Sequence, residues 1–195
     1  LRNLKEGRLH FTTNLAEGVK DASIIFLALP TPPGEDGSAD LKYILGVADH
    51  LGKIMTQYAV IVDKSTVPVG TSEKVHAAVA AHATVAFDVV SNPEFLREGV
   101  AVDDFMKPDR VVIGTESDRA KAIMERLYAP LVRQGNPVIF MDKRSAEMTK
   151  YAANAFLAMK ITFMNEIANV CDRFGINVED VRAGMGSDSR IGPAF

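Results

Sequence analysis

The sequence is poor in cysteine, and Cys171 is the only one. A single thiol excludes an internal disulfide framework and favours a reducing compartment, so we expect the protein to be cytoplasmic. No histidine stands near Cys171 in the sequence, and free cysteines are among the most buried residues. Cys171 is therefore interpreted as a structural residue and not as a nucleophile.

Long apolar runs and a dominant charge are also missing. No segment approaches the roughly twenty apolar residues needed to cross a bilayer, and the first residues contain no signal-peptide core. The formal net charge is −3, which gives no electrostatic reason to expect a nucleic acid or an anionic membrane as partner. We therefore expect an ordinary globular protein. Its first and last residues do not resemble natural termini, which indicates a fragment.

Two kinds of ligand motif are missing as well. The four histidines show no metal-ligand spacing, so we expect no metal site. There is no G-x-G-x-x-G dinucleotide fingerprint, because Ser189 stands where a third glycine would follow Gly184 and Gly186.

A long helix is predicted over residues 145–174, which contain neither glycine nor proline. Ser145 is the expected N-cap, Glu147 the acid of the first turn, and Gly175 the C-terminal stop. Lys150 and Asn154 are four residues apart and leave the same face. Such a helix spans a domain junction or forms a subunit interface.

Strands alternate with helices along the rest of the chain. The predicted strands cover residues 23–29, 59–63, 87–90, 111–113 and 138–141. The predicted helices cover residues 41–56, 71–82, 117–133 and 178–185. This alternation is typical of βαβ units on a parallel sheet, where ligands bind outside the carboxyl ends of the strands.

The residues just after the strands therefore carry the candidate chemistry. The proline-rich segment at 30–33 is first of all a rigid turn, and alternatively a stiff wall for a cofactor. Ser65 and Thr66 serve equally well as ligand donors or as a structural turn. Glu94 and Glu98 would share one face of a helix and are suited to acid/base work, although a solvated acidic turn is commoner. Lys150 is an oxyanion-stabilising cation or a surface lysine paired with Glu147.

Several of these segments, in this order and spacing, resemble the UDP-glucose/GDP-mannose dehydrogenase family over nearly the whole chain. They are residues 29–32, 64–71, 91–99, 107–110, 150–156 and 188–192. Each motif alone is weak, but the ordered set is specific. The loop at 35–41 favours the UDP-glucose enzymes over those acting on GDP-mannose or UDP-N-acetyl sugars.

The resemblance implies NAD-dependent oxidation of the C6 alcohol of UDP-glucose to a carboxylate, by two hydride transfers through a cysteine thioester. It implies that Glu94 is the acid/base for thioester hydrolysis, that Thr66 places water, and that Lys150 and Asn154 stabilise oxyanions. The implied NAD-binding residues are Leu29, Pro30, Thr31, Pro32, Pro33, Ser65, Thr66, Val67 and Glu98. The implied substrate-binding residues are Glu94, Phe95, Leu96, Arg97, Glu98, Lys150, Asn154 and Arg190.

The resemblance also implies a domain organisation. Residues 1–142 would be the later part of a Rossmann-like NAD-binding domain with a parallel sheet. Residues 143–195 would be a central helix and the start of a helical dimerisation domain, which makes a homodimer the expected assembly.

This sequence departs from the family at both ends. The Gly-rich phosphate loop and the nucleophilic-cysteine motif would lie outside residues 1–195, so the chain alone is predicted to be inactive. A non-catalytic module for dimerisation or nucleotide binding remains the alternative from another functional class.

Overall fold

The computed structural model describes residues 2–133 and 135–194. One five-stranded sheet has the order β1-β2-β3-β4-β5. The strands are β1 Ile24–Leu27, β2 Ala59–Asp63, β3 Phe87–Ser91, β4 Val111–Gly114 and β5 Val138–Met141. All neighbours pair in parallel except β3 and β4, which meet antiparallel at Ser91 and Gly114. The predicted α/β class with a mostly parallel sheet is confirmed.

Helices connect and flank these strands. They are α1 Arg2–Lys5, α2 Leu15–Val19, α3 Lys42–Ile54, α4 Thr71–Ala80, α5 Ala101–Met106, α6 Asp118–Tyr128, α7 Lys143–Phe174 and α8 Val178–Gly186. The sequence interpretation did not include α1, α2 or α5. It also extended α6 to residue 133, which is wrong: the helix ends at Tyr128 with Ala129 as its C-cap, because Pro130 has no N–H to continue the hydrogen bonds of the helix.

The core lies on both faces of the sheet. All five residues of β2 are buried. Ile61 belongs to a cluster with residues of α3 and α4, whereas Val60 and Val62 belong to a cluster with β4 and α6. Because successive side chains of a strand point to opposite faces, a strand covered on both sides must be apolar throughout.

The start of α7 differs from the prediction. The helix begins at Lys143, two residues before the predicted cap. Asp142 accepts hydrogen bonds from the backbone N–H (2.9 Å) and hydroxyl (2.6 Å) of Ser145, so the aspartate takes the capping role. The predicted stop is confirmed, since Gly175 follows the helix with φ +66°.

The chain divides into two compact units, Leu1–Lys150 and Tyr151–Phe195, and the division falls within α7. The predicted domain boundary between residues 142 and 143 stays a prediction. Within the second unit, Asn177 caps α8 by accepting from the N–H of Glu179. No helix in the described ranges has both the length and the apolarity needed to span a bilayer.

Candidate active site

The ends of β1 and β2 are tied together by side-chain hydrogen bonds. The Ser65 hydroxyl accepts from the Leu29 N–H at 2.9 Å and lies 2.8 Å from the Leu29 carbonyl, to which it donates. The Thr31 hydroxyl donates to the Thr66 carbonyl at 3.0 Å. The segments 29–33 and 65–67, which follow two parallel strands, therefore form one continuous rim at the carboxyl edge of the sheet.

The predicted cofactor residues differ in what their side chains do. The Ser65 hydroxyl is engaged with the backbone of the neighbouring segment, and Val67 is buried in the core cluster beside α3 and α4. Glu98 is exposed, directly before Gly99, whose φ is +83°. The contribution of these three residues to cofactor binding stays a prediction.

Asn92 fixes the position of the turn that follows β3. Its side chain is buried, donates to the Val112 carbonyl at 2.8 Å and accepts from the Tyr128 hydroxyl. Its backbone N–H donates to the Asp63 carbonyl at 2.9 Å. Burial raises the pKa of Tyr128 to about 12, so its hydroxyl keeps its proton and donates at neutral pH. Asn92, two residues before Glu94, is therefore bonded to three elements: β2, β4 and α6.

The turn itself is not helical, which corrects one interpretation. Residues 92–97 contain no helix, so Glu94 and Glu98 do not share a helical face. The carboxylate of Glu94 instead accepts from the N–H of Leu96 at 2.6 Å and stabilises its own turn. A side chain that bonds the backbone two residues later favours a turn over a helix.

Lys150 meets Glu94 at this edge. Its ammonium lies 2.8 Å from Glu94 Oε1, and the residue is only 6% exposed. Burial alone raises the pKa of Glu94. The hydrogen bonds from Lys150 and the Leu96 N–H, with the charges of Lys150 and Lys64, outweigh burial and leave that pKa below its ordinary value. Glu94 is thus an ionised carboxylate at neutral pH, paired with a nearly buried cation.

The alternative interpretation of Lys150 as a surface lysine paired with Glu147 is wrong. Glu147 is 2% exposed and accepts from the N–H groups of Gly70 (2.6 Å) and Ser72 (2.8 Å) and from the Ser72 hydroxyl. It therefore lies at the N-terminus of α4, where backbone N–H groups and the helix dipole favour an anion. It is not in the first turn of α7.

Asp63, the last residue of β2, is a second buried acid. It is 1% exposed, and neither of its carboxylate oxygens has a hydrogen-bond partner within the part of the chain that the structure describes. Burial raises the pKa of Asp63 to about 7, and the negative charge of Glu147 adds to this effect. Asp63 is therefore protonated below neutral pH and about half protonated near pH 7.

The other predicted substrate residues around Glu94 are spread over the turn. The Phe95 ring centroid lies 4.0 Å from the Arg110 guanidinium and 5.5 Å from the Lys150 ammonium. Leu96 is half-buried. Arg97 donates to Asp104 in α5 through its guanidinium (2.7 Å) and its backbone N–H (2.9 Å). Arg97 therefore anchors α5 to the turn.

Two predicted residues belong to the second unit. Asn154 is an exposed residue of α7, four residues after Lys150. Arg190 is paired with Asp188 at 2.6 Å, and its side chain is 87% exposed. The roles implied for both residues stay predictions.

The sequence interpretation missed three residues of this edge. Lys64 and Arg110 stood in recognised motifs and Asp63 at the end of a predicted strand, and none of the three was given a role. The signal that was available for Lys64 and Asp63 was their position at the end of a buried parallel strand, where ligands gather. Across the described residues, no three His, Cys, Asp or Glu side chains are grouped so as to hold a metal.

The edge combines groups with complementary chemistry. Glu94 offers an ionised carboxylate that can take up a proton, and Lys150 offers a fixed positive charge for an anionic oxygen. The rim of residues 29–33 and 65–67 offers a stiff surface beside them.

Comparison with known proteins shows the family of this chain. Residues 1–132 match the family model for the NAD binding domain of the UDP-glucose/GDP-mannose dehydrogenase family. Residues 144–195 match the model for the central domain of the same family.

Individual relatives agree with these matches. UDP-glucose 6-dehydrogenase from Pseudomonas aeruginosa is 53% identical, over 98% of this chain and 44% of the relative. UDP-glucose 6-dehydrogenase TuaD from Bacillus subtilis is 48% identical, over 100% and 42% respectively. The chain thus spans less than half the length of the curated relatives it matches.

Solved structures share the fold. A UDP-glucose dehydrogenase from Pyrobaculum islandicum has a TM-score of 0.93 and 44% identity, over 98% of this chain and 45% of its own. A GDP-mannose dehydrogenase from Pseudomonas aeruginosa has a TM-score of 0.87 and 32% identity, over 96% and 44%. This chain therefore belongs to the UDP-glucose/GDP-mannose dehydrogenase family.

Proposed function

We propose that this chain is part of an NAD-dependent dehydrogenase that oxidises UDP-glucose to UDP-glucuronate, and that the chain contributes the acid/base and cationic side of its active site. The observation that carries the proposal is the Glu94–Lys150 pair at the carboxyl ends of parallel strands. The identity of 53% and 48% to UDP-glucose 6-dehydrogenases supports UDP-glucose as the sugar nucleotide. The GDP-mannose dehydrogenase structure is less similar, at 32%.

The rim formed by residues 29–33 and 65–67 is suited to NAD binding. Two adjacent strand ends with little backbone freedom present the kind of edge at which dinucleotides lie in parallel sheets. Bound NAD would accept a hydride in each of two oxidations. The residues proposed to line it are Leu29, Pro30, Thr31, Pro32, Pro33, Ser65, Thr66, Val67 and Glu98. Its phosphate loop would come from residues outside this chain.

Each polar residue then has a proposed task. Glu94, as a carboxylate, accepts a proton from the water that hydrolyses a thioester, and Thr66 orients that water. Lys150 and Asn154 stabilise the negative oxygen that develops during the reaction. Cys171 is buried, so the proposal does not assign it as the nucleophile, and another cysteine of the whole enzyme would take that role.

The substrate and assembly follow the same proposal. Phe95, Leu96 and Arg97 would contact the sugar nucleotide beside Glu94, and Arg190 would reach it from the partner subunit of a homodimer. Apolar side chains of α7 that are exposed in the single chain support such a dimer. They include Phe156, Met159, Phe163 and Phe174.

A chimera tests the proposed function. The aligned segment of the Pseudomonas aeruginosa UDP-glucose 6-dehydrogenase is replaced by these 195 residues, and NADH formation is followed with UDP-glucose, GDP-mannose and UDP-N-acetylmannosamine. We expect the highest kcat/KM with UDP-glucose and two NADH per UDP-glucuronate, and no turnover by the chain alone. A folded chimera that binds NAD without oxidising any of the three would contradict the proposal.

A further inference from the structure

Lys64 is a half-buried amine that contacts the turn of the Glu94–Lys150 pair. It follows β2 directly, and its backbone N–H donates to the Leu27 carbonyl at 3.0 Å. Its ammonium lies 3.4 Å from the Pro93 carbonyl, which is the peptide bond leading into Glu94. Lys64 therefore reaches from the end of one strand to the turn that carries the carboxylate.

The positive charges around Glu94 outnumber its single negative charge. Lys150 is ion-paired with the Glu94 carboxylate, and the charge of the Lys64 ammonium also acts on that carboxylate. Burial lowers the pKa of Lys64 to about 8, the charge of Glu94 opposes this effect, and the charge of Lys150 adds to it. Among the described buried acids of the first unit, Glu147 is bonded to the N-terminus of α4, and burial raises the pKa of Asp63 to about 7. The Arg110 guanidinium over Phe95 adds more positive charge.

An excess positive charge in a partly dry site has a physical consequence. If Glu94 and Lys150 were alone, the carboxylate at 2.8 Å would neutralise the ammonium that the proposed reaction needs for an anionic oxygen. A second cation beside the carboxylate removes this conflict. The site then carries a net positive charge before the substrate binds, which is the preorganised state that electrostatic catalysis requires.

We propose that Lys64 is a positioning residue of this site, whose ammonium balances the Glu94 carboxylate and so leaves the charge of Lys150 to an anionic oxygen of the substrate. This inference rests on the proposed function for its catalytic meaning. The charge coupling itself is a property of the chain and is measurable without any activity.

The test is an NMR titration of Glu94 in the chain itself, with the carboxyl signal assigned through Glu94→Gln. We expect an upward shift of the Glu94 pKa in Lys64→Met, since a positive charge that favours the carboxylate has been removed. Lys64→Arg keeps the charge and should keep the wild-type value. Lys74→Met, at an exposed position of α4, is the matched control and should leave the Glu94 pKa unchanged.

A purely structural role predicts a different pattern. If Lys64 only supports the Pro93 carbonyl, Lys64→Met lowers the melting temperature while the Glu94 pKa stays at the wild-type value. That result would overturn the inference.

A reciprocal titration protects the test against a variant that fails to fold. In Glu94→Gln the Lys64 side chain is intact, and its amine pKa, read from the side-chain carbon signal, should fall because the balancing carboxylate is gone. An unchanged Lys64 pKa would also count against the inference. Either outcome is independent of the chimera, whose failure would affect only the proposed function.

Discussion

At the scale of residues, the partners of the charged side chains near Glu94 do not follow from their spacing in the sequence. Glu147 and Lys150 have the spacing of a surface pair on one helix, yet each bonds a different element of the first unit. Lys150 and Glu94 are 56 residues apart in the sequence. Only the fold brings these groups together, so a sequence pattern alone favours the wrong partner for Lys150.

Asp63→Asn is predicted to stabilise the protein above neutral pH. The raised pKa means that the folded chain binds this proton more tightly than the unfolded chain, from about pH 4 to about pH 7. Stability therefore falls as the pH rises through this window and levels off above it. The loss amounts to about 4 kcal/mol at pH 8 and to about 0.5 kcal/mol at pH 4. Asparagine should remove this loss.

Urea unfolding of wild type and Asp63→Asn at pH 4 and pH 8 measures the difference. Asp172→Asn, at an exposed position of α7, serves as the control and should show no such pH dependence. An equal effect of Asp63→Asn at both pH values would contradict the raised pKa of Asp63.

At the scale of elements, the close approach of α7 to β4 depends on one missing side chain. A Cβ on Gly114 would lie 2.7 Å from the Lys143 Cα and the Ala146 Cβ, and 2.9 Å from the Asp142 carbonyl. The first turn of α7 can pack on the end of β4 only because residue 114 is glycine. Since Lys150 follows two turns later, this contact also sets its position.

Gly114→Ala is predicted to lower the free energy of unfolding by about 1–3 kcal/mol, the usual cost of overpacking a rigid contact. The matched control is Gly46→Ala in α3, where an added Cβ meets nothing within 4 Å and the helix should become more stable. Thermal melting of both variants gives the comparison. Equal stability of the two would contradict the packing described for α7.

The elements also show how far the sequence predicts the fold. The strand β2 and the helix α7 were recognised because a buried run between turns and a long glycine-free segment leave few alternatives. The turn at 92–97 was not recognised. It forms because the Glu94 carboxylate accepts a hydrogen bond from the Leu96 N–H, and the spacing of charged residues does not predict this bond. The short helix α5 was missed because it is anchored by a side-chain hydrogen bond from Arg97 to Asp104, which the sequence pattern does not show.

At the scale of the whole molecule, α7 has an exposed apolar face that the proposed homodimer would bury. The proposed homodimer predicts that the chain sediments as a dimer in analytical ultracentrifugation. Phe156→Asp combined with Phe163→Asp should give a monomer with an unchanged circular dichroism spectrum, because two charges cannot be buried unpaired at an interface. Val102→Asp, an exposed apolar position in α5, should leave the dimer intact. A wild-type chain that is monomeric throughout the concentration range would contradict the homodimer.

The family as a whole was recognisable from the sequence because its motifs follow the strands in a fixed order. The roles of single residues were not, since they depend on which side chains the strand ends bring together. We propose that two of these side chains, Glu94 and Lys150, form the catalytic pair of a UDP-glucose dehydrogenase.

The most direct measurement of this claim is kcat for UDP-glucose oxidation by the chimera with Lys150→Met, compared with Lys74→Met as the control. We predict a loss of about 100-fold to 1,000-fold for Lys150→Met, the usual effect of removing one group that stabilises an oxyanion, with kcat unchanged for Lys74→Met. A folded Lys150→Met chimera with the kcat of the unmodified chimera would contradict the account.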